Sequence, residues 1–314
     1  MAADSDLVSV IVPAFNAATT IDETLRSARG QTHSNLEIIV VDDASSDATV
    51  EIVEKHVRAD ARVRLARHPA NRGLSATRNS AIDLSTGAFI APLDADDLWR
   101  ADKLSRQLDA FADPRVGVVY SWYAIIDGAS QIVFLDSRSE ADGDVVAALC
   151  ERNFVGNGST PLMTRAAVLQ AGCYDERLRG CEDYKLLFRI AERHRFALVR
   201  DFLVGYRDRP DSLSGNFDLM LEAHAICEAE FACGHPERVA ALRRNRTRLM
   251  RFMASRCYRR GEWRKAAGLI GRMAREDPLG AVANTAEIAG KRFARVKGTA
   301  TVGAELLGTR FESA

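Results

Sequence analysis

The sequence predicts an α/β fold, with a mostly parallel central sheet covered by helices on both faces and a helical appendage at the C-terminal end. Three observations carry this. Over the first 125 residues, short apolar runs alternate with segments of helical spacing. The apolar runs lack polar alternation, as strands buried on both faces do. From about Asp218 onward the chain becomes rich in Ala, Leu and Arg with helical periodicity. At 314 residues it is long enough for one large domain plus an appendage. The expected boundaries are 1–217 for the α/β domain and 218–314 for a basic helical region.

The elements follow in order. Leu7–Val12 is a branched apolar run that Pro13 should end. Thr20–Arg29 puts Ile21, Leu25 and Ala28 on one helical face. Leu36–Val41 reads as a second buried strand. Asp47 precedes a helical segment that it is placed to cap, with Glu51 in the first turns. Val63–Ala66 is a third strand, Ser75–Leu84 a helix and Ala88–Leu93 a fourth strand. Lys103–Phe111 returns to helix and Val116–Ile126 to strand. Further on, the segment from His235 to Pro278 reads as helical hairpins with a break near Gly261.

Composition narrows the classes. Formal net charge is zero, yet residues 236–314 carry 18 Lys and Arg against 7 Asp and Glu, so the first 235 residues carry an excess of 11 acids. The six cysteines include no C-x-x-C pair and have no histidine cluster beside them, which argues against zinc ribbons and disulfide scaffolds and for a reducing cytoplasm. The N-terminus has no basic region ahead of its short apolar run and reads as a strand, not a signal peptide. No apolar window reaches the length of a membrane span.

In an open parallel sheet, ligands sit beyond the carboxyl ends of the strands, and the acidic motifs collect there. LDADD (93–97) closes the fourth strand with Asp94, Asp96 and Asp97. Asp94 and Asp96, two apart, can converge on a hard cation such as Mg²⁺ or Mn²⁺, which accepts few carboxylates and fills its shell with water and diphosphate oxygens. The plain alternative is a solvated acidic turn that caps a helix. VVDDASSDAT (40–49) closes the second strand with acids able to accept from a base N–H and a ribose hydroxyl, or to cap the next helix. NRGLSATRN (71–79) offers Gly73 for a tight backbone and Arg78 for a phosphate or base, unless Arg78 is an ordinary surface residue. In GCEDYKLLFRI (180–190), Glu182 and Asp183 start a helix whose dipole favours acids there in any case. A carboxylate at that place can serve as a general base.

The ordered set of VSVIVPAFN, VVDDASSDAT, NRGLSATRN, LDADD and GCED resembles the family 2 inverting glycosyltransferases, over roughly residues 7–210. The resemblance implies a GT-A fold, built on a Rossmann-like sheet, and transfer of a sugar from a nucleotide-sugar, usually a UDP-sugar, to a hydroxyl acceptor. Pro13, Ala14 and Phe15 lie where the family lines its base pocket. Asp43 matches the acid that bonds the base, and Arg78 the basic residue of the donor pocket. Asp94 and Asp96 match the D-x-D pair, with Asp96 the direct ligand of Mn²⁺ or Mg²⁺ and Asp94 nearer the ribose and the metal shell. Asp183 looks like the catalytic base, with Glu182 beside it. AGCYDERL (171–178) resembles an acceptor-side segment in which Cys173 replaces a small or glycine residue. Tyr206–Arg207 resembles a pair that lies near the diphosphate.

The implied setting is cell-surface polysaccharide or glycolipid synthesis, with a saccharide or lipid-linked saccharide as acceptor. The basic C-terminal helices have three readings. They are a solvated pack, or a peripheral contact at the inner membrane face, or a nucleic-acid site. The last is not expected, because no recognition motif accompanies the charge. The membrane reading uses Arg243, Arg244, Arg246, Arg248, Arg251, Arg259 and Arg260, with Leu242, Leu249 and Phe252 as an apolar face. Two rival functions stand beside transfer. A sugar nucleotidyltransferase would carry a basic Gly-rich loop after the first strand, where this chain has PAFNAAT. A non-catalytic nucleotide-sugar binding module would lack the D-x-D or the base, and both are present.

Overall fold

The computed structural model describes residues 6–136, 139–208, 216–259, 261–278 and 306–311. It divides into two compact units. The first comprises residues 1–146, 154–209 and 306–314, and the second residues 147–153 and 210–305. Residues 306–314, expected to belong to the helical region, thus fall in the first unit.

The first unit opens with β1 (Val8–Ala14), α1 (Ile21–Arg29), β2 (Leu36–Asp42), α2 (Thr49–Ala59), β3 (Val63–Arg67), α3 (Leu74–Leu84) and β4 (Phe89–Pro92). After it come β5 (Leu98–Trp99), α4 (Lys103–Asp109), β6 (Val116–Ile126) and β7 (Ile132–Asp136). α5 (Val146–Glu151) lies almost wholly in the second unit. The first unit then continues through β8 (Leu162–Thr164), α6 (Arg165–Gln170), α7 (Glu182–Ala191) and β9 (Arg195–Arg207).

The strand order is β3-β2-β1-β4-β8-β6-β9-β5, with β7 beside β6. Strands β3, β2, β1 and β4 are all parallel, as crossover helices require. Beyond β4 the sheet is mixed. β8 runs antiparallel between β4 and β6, and β6 pairs parallel with β9. Val8, Val10, Val12, Ile38 and Val40 pack with Ile21, Leu25 and Val53 in the main core.

β1 runs through Pro13 instead of ending before it. Ile11 is the last residue of β1 paired with β4, and Pro13 would face the same side. The ladder has already ended there, so the missing N–H of Pro13 costs no bond. Asp47 acts one residue ahead of the helix cap. Its Oδ1 accepts from the Thr49 N–H at 3.0 Å, and its Oδ2 from the Ala18 N–H at 3.0 Å. The two-residue strand β5, directly after LDADD, was not legible in the sequence.

The second unit contains α8 (Phe217–Gly234), α9 (Val239–Arg259) and α10 (Trp263–Glu276). Leu221, Met250, Met253 and Met273 form its core, with Leu249 packed against them. Leu242 is fully buried as well. Leu242 therefore does not form part of the exposed apolar face expected of it, and Leu249 is only partly exposed. Arg244 and Arg248 pair with Glu151, and Arg246 with Glu228 and Glu276. Arg260 and the side chain of Arg259 lie outside the described residues.

Candidate active site

The loops that leave β1 and β2 are stitched into one rim. The Asn16 N–H donates to Ser45 Oγ, the Ser46 N–H to Asn16 Oδ1, and the Ala17 N–H to Thr49 Oγ1, at 2.8–2.9 Å. Asn16 and Ala44 sit in the left-handed region, at φ 48° and 63°, to make these turns. Pro13 and Ala14 are buried beneath this rim, whereas Phe15 is 52% exposed.

Asp43 is buried and already well bonded. It pairs with His68 Nδ1 at 2.7 Å and accepts from the Arg72 and Gly73 N–H groups at 2.8 and 2.9 Å. Its carboxylate thereby ties the end of β2 to the loop that starts α3. Gly73, at φ 89°, makes the turn into that helix.

Arg78, expected in the donor pocket, meets two carboxylates. It is fully buried, and its Nη2 bonds Asp94 Oδ1 at 2.5 Å while its Nη1 bonds Glu182 Oε1 at 2.8 Å. Its guanidinium also lies over the Tyr174 ring, 5.1 Å from the centroid. Both terminal nitrogens bond carboxylates, so Arg78 acts as an internal clamp. The clamp brings together motifs that lie 88 residues apart in the chain, Asp94 and Glu182.

The clamp separates the roles of the paired acids. Glu182 is buried and ion-paired. Asp183 is partly exposed, and its Oδ1 accepts from the Tyr184 N–H at 2.7 Å. Burial and the neighbouring Glu182 push the Asp183 carboxyl up to about 6, against the opposing pull of Arg78. A carboxylate poised there suits a general base working near neutral pH. Cys181, just before α7, is held at φ 55°, as is Cys173 at 57° in the acceptor-side segment. Cys173 thus adopts the conformation a glycine would favour.

Asp94 and Asp96 at the end of β4 are partly exposed, whereas Asp97 is fully buried. Ser159 Oγ donates to Asp97 Oδ2 at 2.5 Å, and the Arg207 N–H to Oδ1 at 2.9 Å. Burial, then the charges of Asp96 and Asp94, push the Asp97 carboxyl well above the usual range. Among the described residues, no three acidic, histidine or cysteine side chains gather as a preformed metal cage. What remains, two partly exposed carboxylates at a strand end, fits a hard cation that draws most of its oxygens from diphosphate and water. Asp96 and Asp94 are the residues that would hold it.

Two further pieces support the acidic turn, and the first was not anticipated from sequence. The loop 156–160 threads against the acidic turn. Ser159 Oγ accepts from the Asp94 N–H at 3.0 Å, and the Trp99 indole donates to the Ser159 carbonyl at 2.9 Å. A Cβ on Gly158 would stand 2.5 Å from Arg78 Nη2, so any side chain there would displace the clamp. Asn157–Gly158 reads as a turn in sequence, but nothing local links it to Asp97. The second piece is Arg207, expected near the diphosphate. Its Nε donates to the Asp96 carbonyl at 2.8 Å and its Nη1 to the Asp127 carbonyl at 2.7 Å, beneath the acidic loop. The acceptor-side segment is held by Asn79, which exchanges bonds with Tyr174 N and O at 3.0 and 2.9 Å.

Residues 9–173, more than half of the chain, match the sequence profile of Glycosyl transferase family 2. The chain belongs to glycosyl transferase family 2. Among its relatives is the Escherichia coli UDP-Glc:alpha-D-GlcNAc-diphosphoundecaprenol beta-1,3-glucosyltransferase WfgD, 38% identical over 128 residues, 40% of this chain and 49% of that enzyme. The uncharacterized glycosyltransferase MJ1057 of Methanocaldococcus jannaschii is 28% identical over 210 residues, 65% of this chain and 71% of that protein. The chain spans about half the length of the first curated relatives it matches. The fold is GT-A. It superposes on S. aureus TarS 1-349 in complex with UDP-GlcNAc at TM-score 0.62 and 19% identity, covering 88% of this chain and 83% of that one. It also superposes on the Pyrobaculum calidifontis mannosyltransferase PcManGT, in complex with GDP-Man and Mn2+, at TM-score 0.59 and 20% identity, covering 91% and 80%.

Proposed function

We propose that this family 2 chain transfers a sugar from a UDP-sugar to a hydroxyl of a saccharide or lipid-linked saccharide, with inversion, in cell-surface polysaccharide or glycolipid assembly. The observation that carries the reading is the Arg78 clamp. It sets the D-x-D acid Asp94 and the Glu182–Asp183 pair around one buried cation, with Asp183 left outside the ion pairs. WfgD, named for a UDP-Glc donor and a lipid diphosphate acceptor, and the UDP-GlcNAc complex of TarS support the donor and acceptor classes.

In this reading Asp183 takes the proton of the acceptor hydroxyl as that oxygen bonds the anomeric carbon. The bond from that carbon to the diphosphate breaks on the opposite face, and the diphosphate leaves with the electron pair. A single carboxylate suffices, with no covalent intermediate on the chain. Mn²⁺ or Mg²⁺ at Asp96 and Asp94, when bound, would neutralise the charge that develops on the diphosphate. Phe15, Ala14 and Pro13 would line the base pocket. Asp43 would hold the loop 71–73 against the base and offer its remaining acceptor capacity to it.

Thermal unfolding with a panel of nucleoside diphosphates tests the donor half. UDP with Mn²⁺ at a hundred times its dissociation constant should stabilise the protein by about 2.7 kcal/mol. UDP without metal should do little, and Asp96→Ala should remove the metal-dependent part. No shift with any nucleotide would overturn the reading.

A cytoplasmic setting, peripheral at the inner membrane face, completes the proposal. Among the described residues no helix is long and apolar enough to cross a membrane. All six cysteines are free thiols, which suits a reducing compartment. On the helical unit Phe252, Tyr258 and Trp263 are 42–58% exposed on a chain segment rich in arginine. Aromatic rings beside cations suit a headgroup layer. Flotation with anionic liposomes should carry the protein upward and high salt should release it. Indifference to lipid charge would remove this part of the proposal.

A further inference from the structure

Residues 306–311 lie in the first unit, about a hundred residues along the chain from β9, the nearest element of its sheet that they touch. Their backbone pairs with the 130–132 segment. The Ile132 N–H donates to the Thr309 carbonyl, the Gly308 N–H to the Ile132 carbonyl, and the Phe311 N–H to the Ser130 carbonyl, all at 2.8 Å. Gln131 and Arg310 form an antiparallel bridge.

Phe311 is the anchor. It is 5% exposed and packs with Leu98, Ala124, Ile126 and Ile132. Leu98 follows LDADD directly and pairs with Gly205 of β9. A Cβ on Gly205 would stand 3.0 Å from the Phe311 ring, so the ring occupies the space that this glycine leaves empty.

A polar chain runs from the same segment into the acidic loop. Arg310 Nη2 bonds Glu23 Oε1 at 3.1 Å. Glu23 accepts from Ser130 Oγ and from Arg207 Nη2 at 2.9 Å. Arg207 in turn donates through Nε to the Asp96 carbonyl and through its backbone N–H to Asp97. The Arg310 guanidinium is well exposed, and an exposed ion pair holds little by itself. The buried ring and the three backbone bonds hold the segment in place.

We propose that residues 306–311 form an internal strap that positions the acidic loop 94–97 for metal and diphosphate. The strap acts through Phe311 against Leu98 and Gly205, and through Glu23 and Arg207 on the backbone of Asp96. Phe311, Arg310, Glu23 and Arg207 are positioning residues, and none of them needs to touch substrate. The inference rests on the proposed donor site for its functional consequence, but the structural coupling can be read separately.

Hydrogen exchange and metal-dependent UDP binding on Phe311→Ala, Phe311→Leu and the wild-type chain test it together. In Phe311→Ala, exchange in peptides covering 94–99 and 205–208 should accelerate at least about ten-fold, while β1 and β2 stay protected. The Mn²⁺ concentration for half-maximal UDP binding should rise several-fold, and Phe311→Leu should restore both. A merely structural role would lower the melting midpoint and leave the metal requirement unchanged. Should Phe311→Ala not fold, Gly205→Ala carries the test, because its added methyl pushes on the same ring. Unchanged exchange at 94–99 in a folded variant overturns the strap. If the wild-type chain shows no metal-dependent UDP binding, the donor reading falls, and the exchange result still decides the strap.

Discussion

Asp183→Asn should lower kcat by about 10²–10⁴-fold, the usual contribution of a general base. The amide is nearly isosteric and can still accept from the Tyr184 N–H, so the local fold and donor binding should persist. Metal-dependent binding of UDP, read by thermal shift, should stay close to the wild-type value. The pH profile provides an independent check. Only the ionised carboxylate can take the acceptor proton, and burial beside Glu182 places its titration at about 6. The kcat/KM of the wild-type enzyme should be flat above that value and fall about tenfold per unit below it, as expected for one essential base. Normal turnover of Asp183→Asn, or a profile flat down to pH 5, would remove Asp183 from the role.

Arg78→Leu should destabilise the fold by about 3–5 kcal/mol, the cost of removing one partner from a buried charge cluster. Asp94 and Glu182 would be left facing each other with no cation between them. In chemical denaturation the midpoint should fall with little change in slope. The same substitution removes the group that pulls the Asp183 carboxyl down. Its titration, and with it the acidic limb of kcat/KM, should therefore move to higher pH. Arg78→Lys should recover part of the stability, because an ammonium keeps the charge but cannot reach both carboxylates in the same forked geometry. A folded Arg78→Leu protein of wild-type stability would contradict the clamp. Such a result would return Arg78 to the simpler role of a cation facing the donor.

Much of the α/β body was legible from residue pattern. Runs such as LEIIVV, buried on both faces, can only be central strands, and the helical spacing between them enforces parallel crossovers. The acidic pairs also announced themselves, since ligands collect at the carboxyl ends of such strands. Residue order and spacing were sufficient to assign the family. They could not say what each acid contacts. Asp97 was given no role from sequence, and it is buried and bonded to Ser159 and Arg207. The resemblance singled out Asp183 over Glu182, and the residues by themselves could not show that Arg78 pairs with Glu182.

The difference has one physical origin. Strand and helix tendencies, and the clustering of acids at strand ends, are set by neighbours within a few residues and by the period of burial, so the amino-acid order carries them. The protonation state and partner of a carboxylate depend on desolvation and on charges brought in from far along the chain. Arg78 meets Asp94 and Glu182, Ser159 meets Asp97, and Phe311 meets Leu98 only once the sheet has closed. Folding therefore decided which acid is buried, which is ion-paired and which stays partly exposed. Local sequence had already placed Asp43, Asp94, Asp96 and Asp97 after the ends of β2 and β4, and Glu182 and Asp183 at the start of α7.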